Sequence, residues 1–189
     1  IAIIDHDDIC LPNRLEIQAR HIQTNRNAKL FFANTIHFNN ENEIRRHYDR
    51  FNPCQLDLSR GKALNSLLVH SGFIDTESVV FHKETALHIG GFDTKYKFVV
   101  DDDFFKRVGS KFDIFAGEET VSKWRVHNNQ ATQKMENIIH QENINIFVKY
   151  FYFEGVTNRT RLWMIINFSI LFLKKYLIKL RLIKNKING

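Results

Sequence analysis

Apolar and polar positions alternate along the chain in short blocks that read as strands and helices in turn. Ile1-Ala2-Ile3-Ile4 is a continuous apolar run, which predicts a strand covered on both faces. A buried strand at the first residue needs neighbours, so preceding sequence is expected to supply them. After an acidic turn, Pro12 suits the first turn of a helix. Leu15, Ala19 and Ile22 then recur at i, i+4 and i+7, which places the apolar face on those three residues and the stop near Asn25. Strands are predicted at 30–35, 79–81, 112–115 and 120–126. Helices are predicted over 84–89, ended by Gly90-Gly91, and over 102–108, 136–154 and 160–184. Residues 38–62 are polar and read as a surface excursion with room for a short helix. Strands alternating with helices indicate an α/β fold.

Composition narrows the class. The chain has 189 residues, is 43% hydrophobic and carries seventeen Phe, enough apolar area for one globular domain and too much for a disordered chain. Two cysteines cannot staple a domain of this size, so Cys10 and Cys54 read as free thiols in a reducing compartment. The formal charge of +6 is unevenly placed. Residues 1–154 hold 19 Lys and Arg against 21 Asp and Glu, a net of −2, whereas residues 155–189 hold 8 basic residues and no acid, a net of +8. The basic character therefore belongs to a tail, which argues against nucleic acid as a partner of the body. The expected division is a body over 1–150 and a basic amphipathic helical tail over 151–189.

No run of 18 apolar residues occurs, so no secure membrane span is expected. Leu162 to Leu173 holds ten apolar residues among twelve and runs into Lys174-Lys175 and further Lys and Arg. Two readings stay open for residues 160–184: a basic amphipathic helix lying on an anionic leaflet, or a helix packed against other parts of the protein.

Two acidic clusters follow apolar runs. Asp5-His6-Asp7-Asp8 comes directly after Ile1–Ile4, and strand ends are where open α/β sheets bind ligands. Carboxylates this close repel one another unless a cation compensates them, and oxygen ligands suit Mg²⁺ or Mn²⁺. A solvated turn that caps the next helix is the plain alternative. Asp101-Asp102-Asp103 follows Phe98-Val99-Val100. A carboxylate in an apolar wall can have its pKa raised enough to accept a proton from an alcohol. Helix capping, or an i, i+4 pair between Asp103 and Arg107, is the structural alternative. His127 ends the strand Trp124-Arg125-Val126 and could join a carboxylate on a metal, though a lone histidine is more often structural.

Together these stretches resemble the second half of a family 2 glycosyltransferase with the GT-A fold. The family's strand-DXD-helix block resembles Ile1 to Gln23, with Asp5-His6-Asp7-Asp8, Leu11-Pro12 and Leu15. Its "GGFD…D-x-D-x-x-x-R" block resembles Gly90-Gly91-Phe92-Asp93 through Asp101, Asp103 and Arg107, and its "yRxH…S/T" ending resembles Trp124-Arg125-Val126-His127 and Thr132. Ser78 to Lys83 is similar to the strand before the acceptor-side helix. The resemblance spans residues 1–135. It implies a GT-A-like, Rossmann-related mixed sheet flanked by helices, without its N-terminal nucleotide-binding half, and followed by C-terminal helices.

By that resemblance Asp101 is the catalytic base. Asp5, Asp7 and Asp8 bind the nucleotide sugar, and Asp7 and His127 hold Mn²⁺ or Mg²⁺. The family often has Glu before the base where this chain has Val100. The implied activity is inverting transfer of a sugar from a nucleotide-diphosphate donor to a glycan or lipid-linked acceptor, in surface polysaccharide synthesis. The implied location is cytoplasmic, with peripheral contact on the inner membrane face through residues 160–184. Two rivals stand beside it. One is a haloacid-dehalogenase-like phosphatase with Asp5 as nucleophile and Asp7 as acid, although Asp8-Ile9 stands where that family wants Thr or Val. The other is a truncated, non-catalytic, membrane-associated module.

Overall fold

The computed structural model describes residues 1–39, 42–70, 72–127 and 135–170. Thr132 and residues 171–184 of the expected tail helix lie outside them. The chain is mixed α/β, with a curled mixed sheet flanked by helices. Strand β1 (Ile9–Cys10) leads to α1 (Arg14–Thr24), and the long β2 (Ala28–Asn39) turns into β3 (Asn42–Arg46). Then come α2 (Lys62–Val69), β4 (Val80–Phe81), α3 (Lys83–His88), α4 (Val100–Lys111), β5 (Asp113–Arg125) and α5 (Glu136–Phe151). Residues 158–170 are also helical.

The strand order is β1-β5-β2-β3, and β4 pairs with β2 as well. β2 and β5 run parallel, from Ala28 opposite Asp113 to Phe38 opposite Arg125; the other pairings are antiparallel. β2 is covered on both faces, as its apolar run requires. Leu30 and Phe32 point into the larger core with Ala63, Leu67, Phe104, Val108 and Ile114, which belong to α2, α4 and β5. Ala33 packs on the opposite face with Ile17 of α1 and Val121. A three-layer α/β/α arrangement results.

Several expectations change. Residues 1–4 are not a buried strand: Ile1 and Ile4 are exposed, and the segment pairs with the edge at Val79–Phe81 through a single bridge, Ala2 to Val80, and flanking backbone hydrogen bonds. The run expected as two strands at 112–115 and 120–126 is the single strand β5. Its register against β2 jumps from Phe32 opposite Ala116 to Asn34 opposite Thr120, so Gly117-Glu118-Glu119 form a bulge where the apolar pattern lapses. A Cβ on Gly117 would strike the His21 ring. Gly90 and Gly91 adopt φ of +83° and +68°, as an α3 stop requires.

The largest change concerns α1. The expected apolar face is largely exposed, with Leu15 at 64% and Ala19 also outside. The buried face carries Arg14, Ile17, Gln18 and His21, at the same helical spacing but one position earlier. Arg14 Nη2 donates to the carbonyls of Ile3 at 2.7 Å and Val79 at 3.1 Å, and Gln18 Nε2 donates to Ser78 O at 2.7 Å. The polar groups are hydrogen-bonded, which is what allows them inside.

α5 packs back on the body. Ile146, Tyr150, Val156 and Met164 share a core with Leu64, Leu68 and Val99. Glu142 accepts the backbone N–H groups of Lys97, Phe98 and Val99 at 2.8, 2.9 and 3.2 Å, which fixes the segment that leads into α4 and satisfies its cap residue, Val99. Among the described residues, no helix is long and apolar enough to cross a membrane.

Candidate active site

Asp7, Asp8 and His127 come together at the C-terminal end of the parallel β2–β5 pair. β1 lies antiparallel on β5, with Ile9 opposite Lys123, so the residues before β1 meet the end of β5. Asp8 Oδ1 accepts the Arg125 N–H at 2.8 Å, and Arg125 Nε donates to Asp7 O at 2.8 Å. The Arg125 guanidinium lies over the Phe38 ring, 4.5 Å from its centroid, which anchors the loop to β2 as well. His127 Nε2 reaches Asp7 Oδ2 at 3.0 Å, and that hydrogen bond holds the Asp7 carboxyl below the usual range.

The three consecutive aspartates of α4 divide by role. Asp103 is fully buried, paired with Arg107 Nε at 2.7 Å and Lys149 Nζ at 2.6 Å. Asp102 pairs with buried Lys106. Those two are structural. Asp101 forms no ion pair among the described residues: its Oδ2 accepts from the Thr76 hydroxyl at 2.5 Å, and its Oδ1 accepts the Asp102 N–H at 2.8 Å. Burial raises its pKa against those hydrogen bonds.

The turn Asp75-Thr76-Glu77, which sequence reasoning passed over, joins the clusters. Thr76 holds Asp101, while Glu77 and Asp75 lie close enough to the first cluster to act on its charges. Glu77 is 4% exposed, and burial, with Asp75, Asp8 and Asp5 adding negative charge, pushes its carboxyl up to about 9. Burial also pushes Asp8 up to about 6, with Asp7, Asp5 and Asp75 adding to the shift. Asp8 Oδ2 and Glu77 Oε1 are buried with no hydrogen-bond partner among the described residues. Arg14 and Gln18 clamp this turn to the segment that leads into Asp5, because Ile3 O, Ser78 O and Val79 O all accept from those two side chains. A signal existed: acidic residues just before the apolar run 79–81 mirror the other two clusters.

Asp7 and His127 offer one carboxylate and one imidazole, donor types that a divalent ion accepts once the proton between them is lost. One imidazole beside carboxylates suits Mn²⁺ better than Mg²⁺. The orphaned oxygen of Asp8 and the excess of carboxylates both call for a cation or a donor group from a ligand.

Among the described residues, the one group of three such side chains spaced for a metal is His37, His47 and Asp75. His37 Nε2 and His47 Nδ1 lie 2.9 and 3.1 Å from Asp75 Oδ2, which also accepts from Thr35. Arg45 Nη2, however, lies 2.9 Å from His37 Nδ1. A guanidinium can only donate, so Nδ1 is the acceptor and Nε2 of the neutral ring carries the proton, which removes it as a ligand. No family model matches the chain, and no curated protein matches it.

Proposed function

We propose that this chain carries the metal-holding and acceptor-side parts of an inverting glycosyltransferase of the GT-A type, family 2. Its donor would be a nucleotide-diphosphate sugar and its acceptor a glycan or a lipid-linked sugar. The observation that carries the reading is the state of Asp101. It is a desolvated carboxylate with no cation among the described residues, held by Thr76 on the turn that also borders Asp5 and Asp8.

Asp7 and His127 would hold Mn²⁺ or Mg²⁺, with Asp8 completing the polar wall. The bound ion would neutralise charge developing on the leaving diphosphate. Asp101 accepts the proton of the acceptor hydroxyl as that oxygen attacks the anomeric carbon from the face opposite the leaving group, which inverts the configuration. Its raised pKa makes it a stronger base than an exposed aspartate, and the Thr76 hydroxyl and the Asp102 N–H hold one oxygen each and fix the carboxylate's orientation. Buried Glu77, neutral near pH 7, adds no further negative charge beside the diphosphate.

Membrane contact belongs to the same proposal. Helical residues 158–170 expose Leu162, Trp163, Ile165, Ile166 and Ile170, and residues 155–189 carry a net charge of +8. An apolar strip beside basic residues suits an anionic leaflet at the cytoplasmic face. Sedimentation with phosphatidylglycerol vesicles tests it, and binding unchanged on removal of residues 160–189 would contradict it.

The test of the enzymatic reading is a screen of nucleotide sugars with the full-length protein and Mn²⁺. Consumption of one donor, abolished by EDTA, is expected. Absence of turnover and of metal-dependent nucleotide binding would refute it.

A further inference from the structure

A cavity of about 500 Å³ opens beside Asp75, and neither Asp7 nor His127 lines it. Its walls include His37, Arg45, His47, Arg50 and His70, with Trp124 edge-on to His37 at 4.5 Å between centroids. Asp75 is the one acid in that wall, and its Oδ2 is already taken by Thr35, His37 and His47. Neither arginine forms an ion pair among the described residues, and Arg45 Nη1 is buried with no partner there. The cavity therefore holds surplus positive charge and unused donors. The Arg45–His37 contact argues against a metal as the group that satisfies them.

We infer that this cavity binds a phosphate group carried by the acceptor. Guanidinium groups match a phosphate's several oxygens with directed donors, and the His70 imidazole, which also lines the cavity, can add one. The volume exceeds what a phosphate needs, which leaves room for an attached sugar beside Trp124. Asp75, in the cavity wall, adjoins Thr76, which holds Asp101, so one turn links the phosphate site to the base candidate. Calling the phosphate part of the acceptor rests on the transferase reading; the binding site itself does not.

The test is NMR of the histidine rings in the full-length protein without divalent metal, titrated with glucose 1-phosphate and with dodecyl phosphate. His37, His47 and His70 resonances should move together. Arg45→Gln should weaken binding about tenfold or more, and Arg50→Gln, whose side chain is exposed, should weaken it severalfold without unfolding. Tighter binding of dodecyl phosphate would mark a lipid-linked source, and tighter binding of glucose 1-phosphate a soluble one. No shift at millimolar ligand, or the same affinity in both variants, overturns the inference. So does Zn²⁺ binding at these histidines that is lost in His47→Ala. Donor consumption with Mn²⁺ is scored separately: its failure with phosphate binding intact removes the acceptor assignment, while the reverse leaves the transferase reading standing.

Discussion

The Thr76 hydroxyl donates to Asp101 Oδ2 at 2.5 Å, across 25 residues of sequence. That contact ties the base candidate on α4 to the turn that faces Asp5 and Asp8. It also separates Asp101 from its two neighbours, whose carboxylates are committed to Lys106, Arg107 and Lys149.

Asp101→Asn and Asp103→Asn should therefore fail differently. Loss of the base should lower kcat by two to four orders of magnitude, about 3–5 kcal/mol of barrier, with stability unchanged or slightly raised. Asp103→Asn should cost about 2–4 kcal/mol of stability, somewhat below a fully buried pair because Lys149 and Arg107 partly reach solvent. Denaturant unfolding and turnover on the same samples would check the contrast, and equal loss of stability in both variants would contradict it.

Glu77 gives a pH signature. Its carboxyl is raised from 4.5 to about 9, so the folded state holds a proton that the unfolded chain releases. The sign follows: its contribution is fully present below pH 4.5 and is lost as pH rises towards 9, at up to about 1.4 kcal/mol per pH unit. Glu77→Gln should match wild type near pH 4 and exceed it increasingly up to pH 9. A stability difference independent of pH across that window would show that Glu77 does not titrate as described.

Arg14 is the clamp between the two halves of the site. Arg14→Met keeps the buried stem and removes the donors, which leaves the carbonyls of Ile3 and Val79 short of a partner. A loss of about 2–3 kcal/mol is expected, with faster amide exchange at residues 75–79. A stability change below about 0.5 kcal/mol would mean that the α1 contacts are not the clamp.

What could be read from the sequence follows the chemistry of each segment. β2, α3 and α4 were legible because their apolar runs and stops agree with where the residues lie. The meeting of Asp7 with His127 was anticipated through the family resemblance and not through the apolar run before Asp5, which is no buried strand. The buried face of α1 was not, since Arg14, Gln18 and His21 are stabilised inside by hydrogen bonds that periodicity does not see. β3 and the Asp75–Glu77 turn were hidden for a related reason: both are short and polar, and partners distant in sequence position them. Only register could show that Gly117-Glu118-Glu119 bulge out of one continuous strand. The sorting of Asp101 from Asp102 and Asp103 needed the positions of Thr76 and Lys149.

Mn²⁺ binding tests the central claim most directly. Electron paramagnetic resonance of the full-length protein, titrated with Mn²⁺ in the presence of UDP or GDP, should show one tight site. Asp7→Asn and His127→Ala should each weaken that site about 10- to 100-fold. A wild-type protein that binds no Mn²⁺ with either nucleotide, or an Asp7→Asn variant that binds it as tightly as wild type, would contradict the account.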